Sequence, residues 1–324
     1  MQKLLISSVL ILSLVFYFGC QDPSPTDPAS ELDKKTPTWE IPGDFATIQA
    51  AIDDPMVMDG DIIRVASGNH SGAFIDKKVT IKGQGNAVIN DGPVLTTVYG
   101  EDLKMGFRLL AGSDGSTISH LSFDVEFPVM NGDAVEDVTV TQCTFNNSVQ
   151  AVSNWRGNNW EITHNNINDL RTFCGGGIGI LVGDYSGGTV QNNLVSHNKI
   201  SGTLYVNPQD CGGYNGSGIV LYADFRFGRT GTQEISNNFV THNTISLISN
   251  TLNVVDVVAF ELTDTSPDEK ACDIIYDNSV GFNDFRGTTI QIVTSPAALD
   301  GCNNISRNLG NNRGHGLHPS TFKP

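Results

Sequence analysis

Four hexapeptides, ITHNNI (Ile162 to Ile167), VSHNKI (Val195 to Ile200), VTHNTI (Val240 to Ile245) and VGFNDF (Val280 to Phe285), share one frame. It consists of an aliphatic residue, two variable residues, Asn, one more variable residue, and an aliphatic or aromatic residue. Looser copies are ISHLSF (Ile118 to Phe123), VTQCTF (Val140 to Phe145) and ISRNLG (Ile305 to Gly310). The fourth position falls at 121, 143, 165, 198, 243, 283 and 308, so the successive gaps are 22, 22, 33, 45, 40 and 25. A unit of about 22 residues that tolerates insertions is the product of a solenoid of short strands.

The composition agrees. The chain has 324 residues, 34 of them Gly, and only 17% are charged. Such a length fits one large solenoid domain. Abundant Val, Ile, Thr, Asn and Gly favour strands and turns over helices. A formal charge of -16 excludes nucleic acid as an expected partner, because phosphate binding needs clustered Lys and Arg. An acidic polysaccharide would be repelled unless a cation or a local basic patch intervened. A monomer is expected.

The N-terminus reads as a processing segment. Lys3 precedes an apolar run, Leu4 to Phe18, too short for a comfortable membrane span and suited to a signal sequence. It ends at Phe18-Gly19-Cys20, which resembles a bacterial lipoprotein signal. That resemblance implies cleavage after residue 19 and lipidation of Cys20, with the membrane reached only through the lipid. A plain secretory signal is the alternative. Residues 20–38, rich in Pro, Asp, Ser and Thr, read as a flexible tether. Residues 39–312 are the folded domain and 313–324 a tail.

Within IPGDFATIQAAIDD (Ile41 to Asp54), Phe45, Ile48, Ala51 and Ile52 recur at helical spacing, and Asp44 is positioned to cap the helix. DGDIIRVASGNHSG (Asp59 to Gly72) predicts a buried strand over Ile62 to Val65, and KKVTIKGQGNAVI (Lys77 to Ile89) predicts two more. The series TIQAAID, GDIIRVASGNH, VTIKGQG resembles the N-terminal capping helix and first coils of right-handed parallel β-helix proteins of the pectin-lyase-like superfamily. The resemblance covers roughly residues 40 to 312 and implies an all-β, single-stranded right-handed parallel β-helix. It is specific for fold and poor for activity.

Stacked coils bury their inward side chains in a continuous column, with strands pairing along the axis at about 4.8 Å. The repeated Asn fits a left-handed turn position, and its amide can bond the next Asn in the stack. Asn165, Asn198, Asn243 and Asn283 then form a ladder, preceded by Leu121 and Cys143 at an apolar end. Cys143 is expected to be a buried free thiol. Cys174 and Cys211 open similar Gly-rich strand entries, and Cys272 and Cys302 precede similar runs. Equivalent positions on neighbouring coils lie within disulfide reach, which predicts Cys174–Cys211 and Cys272–Cys302.

Three strands, GIGILVGD, GIVLYAD and VAFELTD, end at Asp184, Asp224 and Asp264, at equal intervals of 40. Stacked in register, their carboxylates would raise one another's pKa or recruit a cation such as Ca2+. The first outcome suits general acid catalysis in glycoside hydrolysis. A Ca2+ could bridge to a uronate polymer, as the resemblance to pectate lyases implies, and an Arg such as Arg226 would then abstract the proton. No signature motif of pectate lyases, or of the polygalacturonases that share this fold class, is present. The alternative is that these Asp residues begin polar turns. Arg229, Tyr222, Tyr205 and Tyr214 are candidates to hold a sugar, the rings by stacking and the Arg by a bidentate fork. Trp155 and Trp160 could offer another sugar platform or pack in the core. His120, His164, His197 and His242 precede the ladder position and read as a side-chain stack rather than a metal site. Two functions remain open: a polysaccharide lyase or hydrolase, and a non-catalytic glycan-binding or structural surface protein.

Overall fold

The computed structural model describes residues 36–173, 177–185, 187–206, 216–225, 234–250, 257–265, 274–294 and 302–310. The chain is a right-handed parallel β-helix. Among the described residues sheet 1 has ten strands, sheet 2 seven, sheet 3 nine, and a fourth sheet three. Within sheets 1, 2 and 3 each inner strand pairs in parallel with its counterparts one coil before and one coil after. One coil runs Glu161–Thr163 in sheet 1, Asn166–Arg171 in sheet 2 and Ile178–Asp184 in sheet 3, and the next begins its sheet 1 strand at Leu194–Ser196. Among the described residues the exception to parallel pairing is a hairpin, Val94–Val98 against the start of Glu101–Leu109, the next-to-last strand of sheet 3.

Sheet 1 shows why the hexapeptide frame repeats. Its three-residue strands place their central residue inward: Ile118, Val140, Ile162, Val195, Val240 and Val280 are all buried in one column. The frame's last residue, Phe123, Phe145, Ile167, Ile200, Ile245 or Phe285, is buried across the corner. Phe123 and Phe145 stack at 5.0 Å and 11°. A strand of three residues cannot hold a fold alone, but a stack shares one continuous core.

The helix is present and short. It spans Ile48–Asp53, with Ile48, Ala51 and Ile52 buried. Thr47, not Asp44, caps it: Thr47 Oγ1 accepts from Ala50 N at 3.1 Å, whereas Asp44 Oδ2 accepts from Glu40 N. Phe45 falls outside the helix and meets Trp39 edge-on at 5.5 Å. The helix packs by Ala73–Ile75, the end strand of sheet 3, and Gln49 Oε1 accepts from Phe74 N at 2.8 Å. The predicted strand at Ile62–Val65 and the two after it, Thr80–Gly83 and Ala87–Asp91, are found.

The Asn ladder exists, with one correction. The left-handed residue is not the Asn but its predecessor: His120, Gln142, His164, His197, His242, Phe282 and Arg307 have φ between 55° and 60°. That turn leaves the predecessor outside and swings the Asn inward. Asn165 N and Nδ2 both donate to Asn198 Oδ1, at 3.1 and 3.0 Å, and the pattern repeats to Asn243, Asn283 and Asn308. Each Nδ2 also donates to a sheet 1 carbonyl of the preceding coil, as Asn243 does to Val195 O at 2.9 Å.

A second ladder stands at the other end of the sheet 1 strands. Asn193, Asn238, Asn278 and Asn303 are linked in the same two-donor manner. Left-handed Asn192, Asn237 and Asp277 precede the first three. Each member lies five residues before a member of the first ladder, an offset constant in the sequence: 193 and 198, 238 and 243, 278 and 283, 303 and 308. Towards the N-terminus this column holds Trp160 and Val138, both buried.

Candidate functional site

Aromatic and polar side chains gather on the outer face of sheet 3, most of them buried. Register places Trp155, Gly183, Tyr222 and Thr263 at one position on four successive coils. Gly183 decides how the rings behave. A Cβ there would come within 2.4 Å of Tyr222 O, so the position admits no side chain. The rings of Trp155 and Tyr222 nevertheless lie only 6.1 Å apart, although a coil separates them. Tyr185 closes the group by meeting Trp155 edge-on at 5.3 Å, with its hydroxyl donating to Gly132 O at 2.7 Å. Leu181, Val220 and Ile178 join Trp155 and Tyr222 in one apolar cluster. Trp155 is half-buried and Tyr222 buried. Aromatic rings with an apolar body and a polar tip are suited to a surface that is partly wet.

The three aspartates behave differently from the expected column. Asp184 pairs with Ala223, and Ala223 with Asp264, so Asp224 falls one residue out of register. The inward alternation sets this: Ile180, Ile219 and Phe260 are aligned in the core, as are Val182, Leu221 and Leu262. A one-residue slip to align Asp224 would turn Tyr222 into the core. Asp184 is fully buried. Its Oδ2 accepts from Gly187 N at 2.9 Å and its Oδ1 lies 3.9 Å from Arg156 Nε. Asp224 and Asp264 are likewise buried and engaged.

The donor set does not fit Ca2+. Asp184 is held by a backbone N–H and faces a guanidinium, and among the described residues no group of three or more His, Cys, Asp or Glu could hold a metal.

Glu261 was not anticipated. It stands on the outer face of sheet 3 in register with Val220 and is only 4% exposed. Ser217 Oγ donates to its Oε2 at 2.6 Å and Thr263 Oγ1 donates to its Oε1. A buried carboxylate is tolerated when hydrogen-bonded in this way. Its signal in the sequence is a glutamate set among the apolar residues of VVAFELTD, ahead of the terminal Asp264.

Tyr205 lies on sheet 2 opposite Arg171 and is exposed. Trp160 is no platform: it is fully buried, with Nε1 donating to Val135 O at 2.7 Å. Tyr214, Arg226, Arg229, Cys20, Cys174, Cys211 and Cys272 lie outside the described residues. Cys302 is described and is disulfide-bonded. Cys143 is free, and burial pushes its thiol up to about 12.

The histidines stack on the exterior. His164 and His197 are 4.8 Å apart at 3°, and His197 and His242 are 5.0 Å apart at 2°. Phe282 continues the stack at 5.4 Å and Arg307 lies over it. Parallel rings do not converge on a common metal centre. Partial burial, then the charges of His164 and His242, hold His197 below the usual histidine range.

No known family model matches the chain. A stretch of 76 residues, 22% of the chain, is 36% identical to a cell surface glycoprotein of Methanothermus fervidus, and it spans only 13% of that protein. Two solved structures of the catalytic domain of a GH87 alpha-1,3-glucanase in complex with tetrasaccharides are similar over 87% of this chain and 67% or 68% of theirs. Identity is 13% and 14%, and the TM-score is 0.34 for both. Similarity at that level lends no support to a shared activity.

Proposed function

We propose that this chain is a glycan-binding β-helix of the cell surface, with the Trp155–Tyr185–Tyr222 group as its sugar platform. One observation carries the reading. Gly183, with no side chain between them, lets the rings of Trp155 and Tyr222 approach to 6.1 Å on the outer face of sheet 3, in a small cluster separate from the main core. Sugars present apolar C–H faces to such rings and hydroxyls to their polar tips. Asp184, Asp224 and Asp264 are read as turn residues, since the Asp184 carboxylate is already committed to Gly187 and Arg156. The sequence resemblance to the pectin-lyase-like superfamily and the partial likeness to a cell surface glycoprotein agree with an extracellular, carbohydrate-directed role.

The test is a panel of soluble polysaccharides, with binding read from tryptophan fluorescence and affinity electrophoresis. Trp155→Ala should weaken binding by about 30-fold, the effect of removing a central aromatic anchor. Unchanged binding in that variant, or no binding to any polymer, defeats the reading. New reducing ends or unsaturated products, lost in Asp224→Ala, would replace it with a hydrolase or lyase.

Two further proposals concern export. Cys20 is lipidated and anchors the chain in the bacterial envelope, and Cys20→Ala should release it in soluble form. The disulfides are Cys174–Cys211 and Cys272–Cys302, the second supported by the bonded state of Cys302. Alkylation of the denatured, unreduced protein should modify Cys143 and none of those four.

A further inference from the structure

Arg108 borders the aromatic group on its N-terminal side. Its guanidinium packs on Gly132, where an added Cβ would come within 2.4 Å of Arg108 Nη2. Gly132 is also the residue whose carbonyl accepts the Tyr185 hydroxyl. The guanidinium and the rings therefore share one stretch of surface, bridged by a residue that has no side chain.

The surroundings of Arg108 are unusual for this protein. Arg64, Arg156, Arg171 and Arg286 each face a carboxylate, and Arg307 lies over a phenyl ring. Among the described arginines, Arg108 alone has neither. Its hydrogen-bond contact is Met105 Sδ at 4.0 Å, a weak acceptor. The chain carries 35 acidic against 19 basic side chains, so carboxylates are abundant. A half-buried guanidinium that no carboxylate neutralises keeps its planar fork available to an oxyanion from outside.

We propose that Arg108, seated on Gly132, is an oxyanion-binding group at the end of the aromatic strip, so that the glycan recognised there carries a carboxylate or sulfate. This rests on the strip being a glycan site. The net charge of -16 repels anionic polymers in general, so any preference for them must come from a local group.

Dextran, carboxymethyl dextran and dextran sulfate share a backbone and differ in charge. Binding to each is measured by affinity electrophoresis at physiological salt. At least one anionic derivative should bind about tenfold more tightly than dextran, and Arg108→Gln should abolish that margin with thermal unfolding unchanged. Arg108→Lys should restore part of it, and Arg307→Gln should leave it intact. Which derivative shows the margin identifies carboxylate or sulfate as the group bound. The proposal is overturned if neither anionic polymer binds better than dextran, or if the margin survives Arg108→Gln. Trp155→Ala separates the two readings: affinity for every polymer unchanged there, with the margin still lost in Arg108→Gln, keeps the oxyanion group and removes the aromatic platform.

Discussion

The early and late coils of this helix solve the same problem by different means. At the two ends of the sheet 1 strands, the early coils hold Leu121 and Cys143 in one column and Val138 and Trp160 in the other. From Asn165 and Asn193 onward both columns become amide ladders. The change coincides with coil length. The apolar members of the first column are spaced by 22, whereas the Asn members joined by the ladder are spaced by 33, 45, 40 and 25. Apolar packing is non-directional, and it suffices where a short, uniform coil fixes its own register. A long insertion gives the chain freedom to return out of register. Two donors from each Asn into one carbonyl oxygen of the next remove that freedom, because a slip leaves buried amide groups unpaired.

The largest test of this contrast is Asn243→Ala. It strips the acceptor from Asn198 N and Nδ2 and the donor from Val195 O, all buried. Urea unfolding should show a loss on the order of 4 kcal/mol, several unsatisfied groups at about 1–3 kcal/mol each. Cys143→Ala, in the apolar stretch, should cost only about 1–2 kcal/mol, as a small cavity does. Equal costs would break the comparison. Cys143→Asn sharpens it. Asn165 Oδ1 already accepts from Cys143 N at 2.9 Å, and the thiol already points at Ile118 O, so the ladder should extend by one coil with a change within about 1 kcal/mol.

Titration gives two smaller tests. The folded pKa of the Cys143 thiol is raised to about 12 by burial, above its unfolded value. Its contribution to stability is therefore complete below the unfolded value and lost as pH climbs towards the folded one. Denaturation midpoints should fall over that range in the native chain and less so in Cys143→Ala. The native thiol should also resist alkylation in mildly alkaline buffer. His197 has the opposite sign. Its folded pKa is lowered, so stability present above the usual histidine range is lost as pH falls through the folded value. A small loss on mild acidification should diminish in His197→Gln, and its absence would mean that the stack tolerates charge.

Part of the candidate site was legible and part was not. Tyr222 and Trp155 could be singled out as candidate sugar-stacking rings from the sequence. Their meeting could not, because it depends on Gly183 lying between them in the stack. Arg108 and Glu261 matter through what surrounds them, which lies on other coils. The second Asn ladder was within reach, since its offset of five from the first is constant, but the hexapeptide frame stops short of it.

The sequence by itself determined the parallel coil, its short repeating unit, the first Asn ladder and the buried free thiol at its apolar end. Each follows from a local period that has only one way to bury its apolar residues. Only the tertiary structure decided the pairing between coils. Asp184 lies beside Ala223 and Ala223 beside Asp264, so the first step falls one position short of the aspartate interval and the second runs one position beyond it. Equal intervals along the chain therefore do not produce a column. Register is chosen by the side chains that must share the core, and polar residues at strand ends take whatever position that choice leaves them.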